Sequence, residues 1–168
     1  MRRWSLLMLS MLLVLSLASP AAEKITKGKF AAIEVVKFDV REGIQFPPDY
    51  QVLLVEDLIK QLENSKKFKQ VIRTGENPAD AAAPALKLTG TITEYKAGSR
   101  AKRYLVGFGA GKTKVVAQVQ FVDRTTGSVL LDRKVDGKVI IGVIGGDSRG
   151  ATNGLAKEVS KVAKDTFF

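Results

Sequence analysis

The amino-acid sequence predicts a single α/β domain of the α+β kind. It is expected to hold a mixed five-stranded sheet and two main helices, with a βαβ unit followed by antiparallel strands and a C-terminal helix. Three observations carry this expectation. Leu54, Val55, Leu58 and Leu62 form a stripe at helical spacing between two β-rich stretches, and strand, crossover helix and strand in that order favour a right-handed parallel unit. Two alternating runs, 114–123 and 128–136, flank the turn Arg124-Thr-Thr-Gly127 and read as a β-hairpin. The last residues put Leu155, Val159, Val162, Ala163 and Phe167 on one side of a helix and Lys157, Lys161 and Lys164 on another. A length of 168 residues suits one domain.

The elements follow in chain order. Residues 1–21 read as a secretory signal peptide: Met1-Arg2-Arg3 is a basic start, 6–17 is an apolar run broken only by Ser10 and Ser16, and Ser19-Pro-Ala21 supplies small residues for cleavage. The run falls short of the ~20 apolar residues that span a bilayer. Cleavage after Ala18, Ala21 or Ala22 stays open, and 22–168 is taken as the domain. Residues 29–40 are nearly continuously apolar and β-branched, so a central strand covered on both faces is expected. Pro47 and Pro48 close a loop before a helix over 49–64, and 68–73 is a short second strand. A loop follows, with one possible helical turn at 79–83. The third strand, 86–95, alternates: Leu86, Leu88, Gly90, Ile92 and Glu94 on one face, Thr89, Thr91, Thr93 and Tyr95 on the other. Asp147 or Ser148 can cap the final helix.

Within the hairpin, a register that opposes apolar pairs sets Phe121 across from Val129, Val119 from Leu131, Ala117 from Arg133 and Val115 from Val135. Continued outward, it sets Gly111, Gly109 and Gly107 across from Val139, Ile141 and Val143. Gly107, Gly109 and Gly111 would leave a face that another backbone or a ligand can approach closely. Gly127 suits the left-handed position that closes the turn.

Composition excludes much chemistry. The chain has no cysteine and no histidine. Thiol nucleophiles, thiolate metal sites, disulfides, imidazole bases and Ser-His-Asp triads are therefore absent. An exported chain without cysteine cannot be a cysteine-linked lipoprotein, so the periplasm or the extracellular space is the expected location. The net charge of +10 falls by two, to +8, when Arg2 and Arg3 leave with the signal, a balance that suits anionic partners. Lys96, Arg100, Lys102, Arg103, Lys112 and Lys114 form a basic cluster interleaved with Tyr95, Tyr104 and Phe108, and no acidic residue occurs over 95–122. That composition fits a surface for an anionic or single-stranded polymer. The expected partner-binding residues are Arg100, Lys102, Arg103, Tyr104, Lys112 and Lys114.

Other candidates are weaker. Gly107-Phe-Gly-Ala-Gly-Lys-Thr113 is one residue short of a phosphate loop and precedes a β-patterned segment, so no nucleotide is expected. Residues 142–148, glycine-rich before a helix, could hold an anion, but Asp147 would compete with it. Asp39, Glu42, Asp123, Asp132 and Asp136 are carboxylates near strand ends. Paired, they could serve a hydrolase of an envelope polymer, but their spacing brings no two together. The expectation is thus a non-enzymatic envelope accessory or binding protein that uses no cofactor and no metal. A carboxylate-dependent hydrolase is the alternative.

The succession β-α-β, Leu86-Lys-Leu-Thr-Gly-Thr-Ile-Thr-Glu-Tyr95, Gly107-Phe-Gly-Ala-Gly111 and Val122-Asp-Arg-Thr-Thr-Gly-Ser-Val-Leu130 resembles an exported bacterial family, domain of unknown function (DUF) 4410. The layout is also similar to the α/β domain shared by the amino-terminal region of TolB, the periplasmic part of the curli secretion protein and the lipoprotein activators of penicillin-binding proteins. Many of those proteins are lipoproteins, from which this cysteine-free chain departs. The resemblance implies an accessory or interaction role in the envelope and carries over no catalytic residue.

Overall fold

The computed structural model describes residues 25–97, 113–138 and 149–168. Among these, the elements run β1 (Ala32–Val35), β2 (Asp39–Val40), α1 (Pro48–Asn64), β3 (Gln70–Arg73), β4 (Ala85–Lys96), β5 (Lys114–Asp123), β6 (Val129–Lys138) and α2 (Arg149–Phe167). The fold is a mixed sheet with two main helices, as the sequence predicts. The path through the sheet is β3-β1-β4-β5-β6, and β2 adds to β4. β1 pairs in parallel with β3 and β4, whereas β4, β5 and β6 are antiparallel.

One apolar core joins both helices to a single sheet face. Leu54, Leu58 and Leu62 of α1 and Leu155, Val159 and Phe167 of α2 meet Ile33, Leu86, Leu88, Ile92, Val119 and Phe121, all of them at most 1% exposed. Burial of such side chains contributes about 1.5–3 kcal/mol each. α1 starts at consecutive prolines, which fit a helix start because the missing N–H there has no intrahelical partner. It stops where the Ser65 hydroxyl donates to Leu62 O at 2.6 Å and Lys66 turns to φ +52°. Across the helix pair, Thr152 Oγ1 donates to Asp57 Oδ2 at 2.7 Å and Ser160 Oγ to Gln61 O at 3.0 Å.

Three expectations need correction. The single strand expected over 29–40 is two. Val35 pairs with Leu88 and Asp39 with Thr91, so three residues stand against two of β4. The cause is Phe38, whose buried ring lies over Gly90: a Cβ there would come to 2.6 Å of it. β1 is buried on both faces, but Glu34, paired with Arg124, helps fill the second face.

The alternation of β4 also breaks. Ile92 faces Ala117 but Glu94 faces Val116, so Thr93 is an extra residue. The bulge exchanges the last two side chains. Tyr95 joins the core side with Val115, and Glu94 lies on the polar side.

The hairpin register is offset by two residues from the expected one. Phe121 faces Leu131, Val119 faces Arg133, Ala117 faces Val135 and Val115 faces Gly137. The loop holds four residues, closed by Asp123 N–H to Ser128 O at 2.9 Å, and Leu130 is an extra residue before Val129 meets Val122. An even offset preserves which residues share a face, so the core side was right for Leu131, Arg133 and Val135 although the partners were not, whereas the extra residue moves Val129 opposite Val122 and leaves it exposed. The close approach expected at Gly107, Gly109 and Gly111 falls outside the described residues, as do the pairs continued to Val139, Ile141 and Val143 and the caps Asp147 and Ser148.

Candidate functional site

The hairpin has two ends of different chemistry. At the closed end, Asp123 Oδ1 accepts from the Thr125 and Thr126 amides at 2.9 and 3.2 Å, and Oδ2 lies 3.4 Å from Lys29 Nζ. Gly127 N–H donates to Asp123 O at 2.8 Å with φ +73°, the left-handed position assigned to it from sequence. Arg124 N–H donates to Ala85 O at 2.9 Å. Its side chain reaches back over the sheet: Nε lies 2.9 Å from Glu34 Oε2, and Nη2 donates to Glu76 O at 3.3 Å. Burial pushes the Asp123 carboxyl up, but the two amides and Lys29 outweigh it and hold it below the ordinary carboxylate range. The run Asp123–Gly127 therefore builds a turn and ties it to β1. A shallow depression of about 270 Å³ beside it is walled by Pro78, Ala81, Ala83 and Arg124, with no carboxylate in its lining.

At the open end, Lys114 is the one residue of the expected binding surface that is described. Arg100, Lys102, Arg103, Tyr104 and Lys112 lie outside the described residues. Lys114 opens β5, and its Nζ lies 3.0 Å from Glu94 Oε2 and 3.9 Å from Asp136 Oδ2. Lys96 Nζ lies 3.2 Å from Glu94 Oε1. Hydrogen bonds from Lys114 and then Lys96 hold the Glu94 carboxyl below its usual range, and Glu94 in turn raises the Lys114 ammonium. On the core side of the same end, Tyr95, Phe46 and Tyr50 pack edge-to-face, with ring centroids 5.1–6.3 Å apart. Sequence reasoning missed this trio, because only the Thr93 bulge turns Tyr95 toward it.

The carboxylates are dispersed. Asp123 and Asp136 sit at opposite ends of the hairpin, and Asp39 and Glu42 are exposed near β2. Asp132 accepts from the Gln120 and Gln118 side chains, which hold it below the ordinary range. Glu94 and Asp136 do converge, but on the ammonium of Lys114. General acid catalysis by a carboxyl needs a raised pKa, and Glu94 is shifted the other way. Among the described residues no cluster suited to a metal occurs, and no helix is long and apolar enough to cross a membrane.

Comparison with known proteins agrees with this architecture. Residues 47–143 match the family model described as Domain of unknown function (DUF4410). No curated protein sequence matches the chain. Among solved structures, the PelC dodecamer of Paraburkholderia phytofirmans is similar in fold, with 16% identity and a TM-score of 0.54, covering 86% of this chain and 95% of that one. A variant of the same dodecamer gives 14% identity and a TM-score of 0.55 over the same shares. TolB of Acinetobacter baumannii aligns at 16% identity and a TM-score of 0.39, over 84% of this chain and 31% of that one.

Proposed function

The chain belongs to the DUF4410 family, and from that premise we propose that it is a non-enzymatic, exported accessory protein of the cell envelope. It acts by contact with a protein or an anionic polymer through the open end of its central hairpin. The observation that carries this reading is the state of its carboxylates. Glu94, Asp123 and Asp132 are all held below the ordinary range by lysines, amides or glutamines. In a chain without histidine or cysteine, this arrangement supports binding over proton transfer. In sequence, the segment between Lys96 and Lys114 adds Arg100, Lys102, Arg103 and Lys112, interleaved with Tyr104 and Phe108, a composition suited to a polyanion. PelC, of like fold, is a dodecamer, which makes a second copy of the chain the first protein partner to test by sedimentation.

The test is binding to anionic envelope polymers and to single-stranded nucleic acid across a salt series. Cations that displace counterions give a steep salt dependence. Replacing Arg100, Lys102, Arg103 and Lys112 by Gln should flatten the slope without shifting the unfolding midpoint. Absence of binding to either polymer at low salt overturns the polyanion reading and leaves a protein partner.

A further inference from the structure

A second basic surface lies at the other end of the molecule. We infer that the end formed by the start of β1, the start of β3 and the C-termini of both helices docks on anionic phospholipid headgroups. The placement is fixed by contacts. Gly28 N–H donates to Phe167 O at 2.7 Å, Lys27 Nζ to Asp165 O at 3.3 Å, and Lys69 N–H to Ala31 O at 2.8 Å. Lys67 Nζ stands 5.9 Å from the centroid of the Phe168 ring, which packs edge-to-face on Phe68 at 5.1 Å. These contacts gather Lys27, Lys29, Lys66, Lys67, Lys69 and Lys164 on one end, all exposed.

Charge and an aromatic edge select a membrane: the six lysines outnumber the neighbouring carboxylates Glu63, Asp123 and Asp165, and half-buried Phe168 stands among them, a pairing that suits a headgroup layer. The ten-residue strands β5 and β6 separate this end from the open end of the hairpin by about 30 Å. Lysines at helix C-termini also complement the helix dipoles, a role that asks nothing of a membrane and that the test must separate.

The experiment uses the exported chain without residues 1–21, which contain the single tryptophan, Trp4, and carries Phe168→Trp as the probe. The vesicles are equimolar phosphatidylglycerol and phosphatidylethanolamine doped with a headgroup-nitroxide lipid, and phosphatidylcholine vesicles serve as reference. Binding only to the anionic vesicles, with quenching of Trp at 168 and none for Tyr95→Trp, supports the inference. Replacing Lys66, Lys67 and Lys69 together by Gln should weaken binding about 100-fold, near fivefold per charge. The Gln variant of Arg100, Lys102, Arg103 and Lys112 should still bind, which separates this surface from the polymer-binding one. Four results overturn the inference: no binding at low salt, quenching at 95 instead of 168, loss only in the loop variant, or equal binding to soluble polyanions without quenching. The quenching pattern needs no lysine variant, so it decides the matter even where the triple variant fails to fold.

Discussion

Gly137 of β6 lies against Leu155 of α2 so closely that a Cβ on the glycine would stand 2.7 Å from both the Leu155 Cβ and its backbone nitrogen, and 2.9 Å from Ala151 O. Two of those three atoms belong to helix backbone, which cannot rotate away. The absence of a side chain at 137 thus sets the distance between α2 and the sheet.

Gly137→Ala should therefore force α2 outward, at a cost of about 1–3 kcal/mol, read as a lower urea midpoint. Gly127 provides the contrast. Nothing lies within 4 Å of its Cβ position, but its φ is +73°, so its constraint is backbone conformation. Asn tolerates the left-handed region. Gly127→Asn should leave the midpoint nearly unchanged, whereas Gly137→Asn should lower it at least as far as Gly137→Ala. Equal effects at the two sites would contradict the close approach.

Arg124 and Glu34 form an ion pair whose carboxylate side chain is only 7% exposed. Arg124→Met strands that carboxylate. Removing one partner of a fully buried pair costs about 3–5 kcal/mol, and the partial exposure of Arg124, 28%, places the expected loss near the lower end of that range. Glu34→Leu with Arg124→Met removes both charges and should restore most of the stability. A double variant as unstable as Arg124→Met alone would show that the contact of Arg124 with Glu76 O is what matters.

Asp123 links stability to pH. Its carboxyl is held below the ordinary range in the folded chain, so the unfolded chain binds the proton more readily. The resulting stabilisation is fully present above the unfolded value and disappears as pH falls through the folded one. In Asp123→Asn the amide oxygen can still accept from Thr125 and Thr126, but the charge facing Lys29 is gone. The variant should be less stable near neutrality, and the gap to the parent should start to close at about pH 4 and vanish only once pH has fallen through the lower folded value. Parallel stability–pH curves would remove Asp123 as a contributor.

Element type and order were legible because they depend on local periodicity: the stripe from Leu54 to Leu62, the alternation of β5 and the left-handed Gly127 all report within a few residues. What the sequence hid depends on contacts between distant positions. Phe38 interrupts β1 because it needs Gly90, and Glu34 enters an apolar strand because Arg124 answers it from the hairpin turn. The extra residues Thr93 and Leu130 lie in runs whose composition marks neither as a bulge. Of the predicted surface, Lys114 is placed, and its partners Glu94 and Asp136 come from strands on either side of β5. The lysine-bearing end was not legible, because its members come from three separate stretches of chain.

Tyr104 offers the sharpest test of how the open end would hold a polymer. The trio Phe46, Tyr50 and Tyr95 shows that aromatic side chains pack at this end of the sheet. Tyr104 stands within the basic segment of the sequence. If it stacks on a base or a sugar ring, Tyr104→Ala should lower affinity by about 1–3 kcal/mol per stacked group. The salt slope should hardly change, because stacking releases no counterions. The Gln variant of Arg100, Lys102, Arg103 and Lys112 should do the reverse, flattening the slope. A Tyr104→Ala variant that binds as tightly as the parent would mean that the segment works by charge alone, and selectivity among polyanions should then follow charge density.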